Sequence, residues 1–148
     1  MTFKLAKFLV SNGVSIIPLA GKRPKTEWKR FQTEMMTDSE LQYWFSTVYS
    51  DIGIVTGKLS GLIVVDADDA DGVSLVKDYC PFSPMTRDTS RGSHFYYRAP
   101  AEPVPNVQKI SGANIDIRGD GGYVCVKRNL TTFTRDLPIY DPTWLGDF

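Results

Sequence analysis

The chain has 148 residues, of which 42% are hydrophobic, 23% charged and 12% aromatic, a balance that fits one globular domain over residues 1–148 and excludes disordered, collagenous and fibrous classes. No apolar run approaches the ~18–20 residues that span a bilayer, the start Met1-Thr2-Phe3-Lys4-Leu5-Ala6-Lys7 lacks a signal peptide's apolar block, and two cysteines, Cys80 and Cys125, cannot build a disulfide framework or a four-cysteine zinc site. A cytoplasmic, reducing setting and no membrane contact are therefore expected. The net charge is zero, yet residues 1–30 hold seven Lys/Arg and one acid (+6), which leaves ten basic and sixteen acidic residues (−6) after them. That polarity is compatible with a polyanion bound beside a metal site.

Residues 2–11 read as a helix, with Leu5, Phe8 and Leu9 on one face and Asn12-Gly13 as its stop. Val14–Leu19 reads as a β-branched strand interrupted at Pro18. A basic loop, Gly21-Lys22-Arg23-Pro24-Lys25, runs toward Trp28. Thr37-Asp38-Ser39-Glu40 is a capping box, and the helix it opens presents Leu41, Trp44, Phe45 and Val48 as a core stripe. Ile52–Val55 is a short strand. Leu62-Ile63-Val64-Val65 has the unbroken apolar character of a strand buried on both faces. A second helix is expected over Asp71–Tyr79, then strands near His94–Arg98, Ala113–Ile117 and Tyr123–Lys127. Two helices among several strands predict an α/β or α+β domain, a central sheet with helices on one face.

Three elements carry candidate chemistry. The apolar strand at 62–65 runs into Asp66-Ala67-Asp68. Alternate strand residues share a face, so Asp66 and Asp68 project from the same side. Two close carboxylates repel, and a divalent cation relieves that repulsion; Mg²⁺ and Mn²⁺ take oxygen ligands, with phosphate and water completing the shell. The alternative is that these acids only open a turn or cap the next helix, roles that suit Asp69 and Asp71 better. An EF-hand is excluded, because its ligand, glycine and glutamate places fall on Ala70, Asp71 and Lys77.

The second element is Thr89-Ser90-Arg91-Gly92-Ser93-His94, opening the strand Phe95-Tyr96-Tyr97-Arg98. Its small residues allow close approach of a ligand to backbone, and its hydroxyls, Arg91 and His94 can donate to phosphate. His94 is the single histidine, which argues against the paired-histidine site of a rolling-circle nickase. The third element is Ile115-Asp116-Ile117-Arg118-Gly119-Asp120-Gly121-Gly122. Asp116 takes the face opposite its isoleucines. It is either a site residue or an edge-strand acid in a hairpin turned by Asp120-Gly121-Gly122.

In order and spacing, Asp66-Ala67-Asp68, Gly92-Ser93-His94 and Ile115-Asp116 resemble the archaeo-eukaryotic primase superfamily, specifically the primase–polymerase domain of plasmid and phage replication proteins. The Gly-Lys-x-Pro loop before Trp28, Ile52-Gly53-Ile54-Val55-Thr56-Gly57, and Arg118 through Tyr123-Val124 extend the resemblance to about residue 126. It implies an α+β fold with a sheet like that of an RNA-recognition motif, backed by helices and joined to an N-terminal α/β unit. It implies template-directed nucleotidyl transfer, as a primase or DNA polymerase. Asp66, Asp68 and Asp116 would hold Mg²⁺ or Mn²⁺, and His94 would meet the β- or γ-phosphate. Arg91 and Ser93 would be further phosphate donors; Arg118 and Lys22 would reach phosphates of nucleotide or template. The implied partners are nucleoside triphosphates, a single-stranded DNA template with its primer, and a replicative helicase domain or partner. Trp28 and Phe31 could stack bases, although ordinary core positions suit them better.

Rival readings use the same residues. A non-catalytic single-strand or nucleotide-binding module needs exposed sheet aromatics, for which Tyr96, Tyr97 and Tyr123 are the candidates. A carboxylate metal nuclease needs only the acids.

Overall fold

Ala6 and Leu9 are fully buried on α1 (Phe3–Ser11), while Phe8 stays 48% exposed and meets Phe133 edge-on. The buried stripe is thus turned from the predicted Leu5/Phe8/Leu9 face. Asn12 ends the helix by returning its side-chain amide to the Phe8 carbonyl, and Gly13 follows with φ 79°, a left-handed turn that glycine enters without steric cost. The computed structural model describes residues 2–127, 130 and 132–146.

The predicted capping box forms. Thr37 Oγ1 accepts the Glu40 N–H at 3.2 Å, and Glu40 Oε1 accepts the Thr37 N–H at 3.0 Å. The helix it opens, α2 (Asp38–Gln42), widens after one turn into a π-turn over Tyr43–Thr47, closed by the Val48 N–H on the Tyr43 carbonyl. Leu41 and Phe45 are buried; Trp44 and Val48 are only half covered.

Two antiparallel four-stranded sheets make up the rest of an α+β fold. The first contains β1 (Ile16–Ala20), β2 (Arg23–Pro24), β3 (Asp51–Val55) and β8 (Tyr123–Lys127), in the order β2-β1-β3-β8. The second contains β4 (Leu62–Ala67), β5 (Thr86–Asp88), β6 (Ser93–Arg98) and β7 (Ile115–Arg118), in the order β5-β6-β4-β7. The short strands β2 and β5 lie outside the predicted set. Of the alternative reading of Asp116, the edge strand is present, since β7 ends its sheet, but the hairpin at 120–122 does not form: β7 pairs with β4, whereas β8 crosses to β3 in the other sheet.

That crossing is clamped by Asp120. Its Oδ1 accepts the Lys58 N–H at 3.0 Å and its Oδ2 the Val104 N–H at 2.9 Å, while Thr56 Oγ1 donates to the Gly119 carbonyl at 2.6 Å. These bonds tie three loops together and satisfy the buried Gly119 carbonyl and the part-buried Val104 N–H, which would otherwise be costly.

The unbroken apolar run 62–65 explains how the layers meet. Leu62 and Val64 join the core of the first sheet with Ile16, Ile54, Phe45 and Tyr96. Ile63, Val65 and Ala67 join the opposite core with Val76 of α3 (Ala70–Tyr79), Tyr97, Ile117 and Tyr140. Each fully buried Leu, Ile or Val stabilises the fold by about 1.5–3 kcal/mol, so β4 is held from both sides. Asp69 caps α3, accepting the Gly72 N–H at 2.7 Å. Among the described residues, no helix is long and apolar enough to cross a membrane.

Candidate functional site

The strand register builds the site. Asp66 on β4 sits directly opposite His94 on β6 and Asp116 on β7, and His94 sits opposite Arg87 on β5. Directly paired residues share a sheet face, so Arg87, His94, Asp66 and Asp116 form one row across all four strands. Arg118, two residues beyond Asp116 and opposite Val64, lies on that face too. The same face carries Leu62, Val64 and Tyr96 into the core shared with the first sheet. The apolar layer gives way to polar groups where the two sheets part.

There a cleft of about 360 Å³ opens. Asp66, Asp68, Arg87, Arg91, His94 and Arg118 line it from the second sheet and its turns; Lys22, Tyr123, Cys125 and Lys127 line it from the first. Thr89 and Ser90 lie at its rim. Ser93 is placed elsewhere. It pairs with Ala67, takes the face opposite His94, and gives its hydroxyl to Asp88 at 2.9 Å. Strand alternation sets this, because neighbours in a strand cannot share a face.

Charge pairing dominates the local geometry. His94 Nε2 is 3.4 Å from Asp66 Oδ1, and Arg118 Nη2 is 3.6 Å from Asp66 Oδ2 and 3.0 Å from Asp116 Oδ2. Arg91 Nη2 reaches Asp68 Oδ2 at 2.7 Å. Asp116 Oδ1 accepts the N–H of Lys109 at 3.0 Å, a residue held in the left-handed region at φ 49°. So Asp66, His94, Asp116 and Arg118 are brought together, and Asp68 faces the same cleft across a separate pair with Arg91.

Burial works to raise the pKa of Asp66, but the hydrogen bond and charge of His94, with the charge of Arg118, outweigh it and hold the carboxyl below its ordinary 3.8. A carboxyl depressed in the folded state contributes stability that is complete above the unfolded value and disappears as pH falls through the folded one. Melting temperature is therefore expected to drop as pH falls below about 3.8, with a shallower decline in Asp66→Asn. A thermal melt series from pH 6 to pH 2 on both proteins reads this, and identical slopes would contradict it.

The donor set suits a hard divalent cation: Asp66 and Asp68 offer carboxylate oxygens to the cleft, with Asp116 one strand away. Among the described residues, no three His, Cys, Asp or Glu side chains are grouped closely enough to hold an ion by themselves. Arg118 and Arg91 neutralise the acids instead. A protein that supplies one or two carboxylates and leaves the other ligand places to phosphate and water needs no third acid.

The aromatic candidates divide. Tyr96 and Tyr97 are fully buried, so they cannot be the exposed platform that a non-catalytic strand-binding module requires. Tyr123 does reach the cleft, fixed by its hydroxyl on the Lys22 carbonyl at 2.8 Å and by an edge-on contact with Trp28 at 5.1 Å. Trp28 is half-buried behind it, and Phe31 is a core residue, 2% exposed.

Arg87 is a cleft residue that no sequence motif singles out. Its signal was present in the four residues Thr89-Ser90-Arg91-Gly92 between two short extended stretches. Read as a hairpin turn, they pair Asp88 with Ser93 and so Arg87 with His94. The Thr89 N–H on the Gly92 carbonyl, and the Gly92 N–H on Thr89 Oγ1, close that turn.

A family model described as "Bifunctional DNA primase/polymerase, N-terminal", Prim-Pol, matches residues 6–136. No curated protein matches the chain.

Proposed function

Because the chain belongs to the Prim-Pol family of bifunctional DNA primase/polymerase N-terminal domains, we propose that its cleft performs template-directed nucleotidyl transfer, as a DNA primase, a DNA polymerase or both. The observation that carries this reading is the row of Asp66, His94 and Asp116 in direct register, with Asp68 at the strand end facing the same cleft. Residues 1–148 are read as one catalytic domain.

Asp66 and Asp68, with Asp116 beside them, are the residues that would hold Mg²⁺ or Mn²⁺. When bound, such an ion neutralises phosphate charge and lowers the pKa of the attacking 3′-hydroxyl. His94, 7% exposed, is kept in place by Asp66 and is the residue that would meet the nucleotide's phosphates. Arg118 and Arg91, which rest on carboxylates, are the arginines that would be within reach of phosphate oxygens at this site. Catalysis of this kind rests on positioning and charge neutralisation rather than a side-chain nucleophile. Lys22, on the turn between β1 and β2, carries positive charge to the cleft mouth for template or nucleotide.

The test is a paired assay on one preparation: extension of a labelled primer on a DNA template, and synthesis on an unprimed template. Deoxynucleotides and ribonucleotides are supplied separately, each with Mg²⁺ and with Mn²⁺. Metal-dependent incorporation with at least one nucleotide type is expected. Tight nucleotide binding without incorporation under any condition would replace this reading with a non-catalytic nucleotide-binding one, which the complete pairing of the acids with arginines favours. Shortening of the primer without added triphosphate would replace it with a nuclease.

A further inference from the structure

Arg87 stands apart from the other arginines at the site. Arg91 and Arg118 each rest on a carboxylate. Arg87 lines the cleft and is half-buried, yet no described residue gives it an ion-pair or hydrogen-bond partner. His94 is opposite Arg87 in the ladder and lines the same cleft. An unpaired guanidinium on the wall of an open cleft is a ready partner for an anionic ligand.

The sign of the cleft agrees. Lys22, Arg87, Arg91, Arg118 and Lys127 line it against two carboxylates, Asp66 and Asp68. The order of the row gives direction: neighbouring strands are about 4.8 Å apart, so Arg87 on β5 stands about 10 Å from Asp66 on β4, with His94 between them. If bond-making takes place at the acids, phosphates remote from the reacting one extend past His94 toward β5.

Resting on the nucleotidyl-transfer reading, we propose that Arg87 is a binding residue for the terminal phosphate of the incoming nucleoside triphosphate, and that it makes the cleft select triphosphates over monophosphates. Its fork of donors matches a phosphate edge with two parallel charge-assisted bonds. Its edge-strand position leaves it reachable from solvent.

The experiment measures binding of dATP, dADP and dAMP, with Mg²⁺ present, to wild type, Arg87→Gln and Arg87→Lys by calorimetry. Circular dichroism and thermal melts establish that each variant is folded. Arg87→Gln is expected to weaken dATP by ~10–100-fold, from the usual strength of hydrogen bonds to charged groups, and to leave dAMP within about twofold. Arg87→Lys, which keeps the charge but not the fork, is expected to recover part of the loss. In primer extension the change should fall on KM and leave kcat nearly unmoved. Unchanged dATP affinity in Arg87→Gln, or an equal loss for all three nucleotides, overturns the assignment. Wild type that binds none of the three overturns the nucleotidyl-transfer reading and Arg87's role with it.

Discussion

Asp66→Asn is expected to reduce metal-dependent nucleotide incorporation by at least ~10³-fold while the protein stays folded. Asn keeps the shape of the side chain and one acceptor oxygen, so the β4–β6–β7 register survives. Arg118 retains Asp116 at 3.0 Å, which confines the folding cost to about 1–2 kcal/mol. The lost element is negative charge at the centre of the row, between His94 and Asp116. A cation at such a site supplies several kcal/mol of charge stabilisation to the transition state, and each ~1.4 kcal/mol is a factor of ten in rate. Single-nucleotide incorporation under saturating substrate reads the effect. A variant that stays folded and keeps more than a tenth of wild-type rate would remove Asp66 from the chemistry.

Gly92→Ala is expected to cost about 3 kcal/mol of stability or more, toward the upper end of what overpacking produces. A Cβ on Gly92 would sit 1.9 Å from the carbonyl oxygen of Ala67 and 2.8 Å from its carbon. Neither atom belongs to a flexible side chain. The obstacle is the backbone of β4 between Asp66 and Asp68, so relief must displace one of those two acids, unpair β4 from β6, or open the 89–92 turn. Denaturant unfolding of the variant beside Gly21→Ala separates the two ways a glycine can matter. Gly21 has φ 63° and nothing within 4 Å of an added Cβ, so only conformational strain of about 1–2 kcal/mol applies there. Gly92→Ala with a smaller loss than Gly21→Ala would contradict the steric argument.

Much of the architecture could be read from local signals, because local physics specified it. The Thr37 capping box and the Asp69 cap depend on neighbours a few residues away, and the run 62–65 and strand β8 show in their own apolar and β-branched residues. What escaped was set by distant pairing. Phe8 lies 48% exposed, outside the core, with an edge-on contact to Phe133 from the far end of the chain. The acids at 120 and 116 looked like parts of one hairpin, but the Asp120 clamp sends β8 into the other sheet. Ser93 and His94 looked like joint phosphate donors, although adjacent strand residues face opposite ways and Ser93 settles on Asp88. Arg87 was hidden because a three-residue strand has too short a pattern to detect. Its place beside His94 follows only from the hairpin register.

The gathering of a divalent ion and a triphosphate at Asp66 and Asp68 is tested most directly by electron paramagnetic resonance of Mn²⁺ titrated with dATP and protein. Wild type is expected to lower the free-ion signal well beyond what dATP alone achieves, and Asp66→Asn to add nothing to dATP alone. Equal depletion by the two proteins, or none by either, would contradict a cation bridging these carboxylates to the nucleotide.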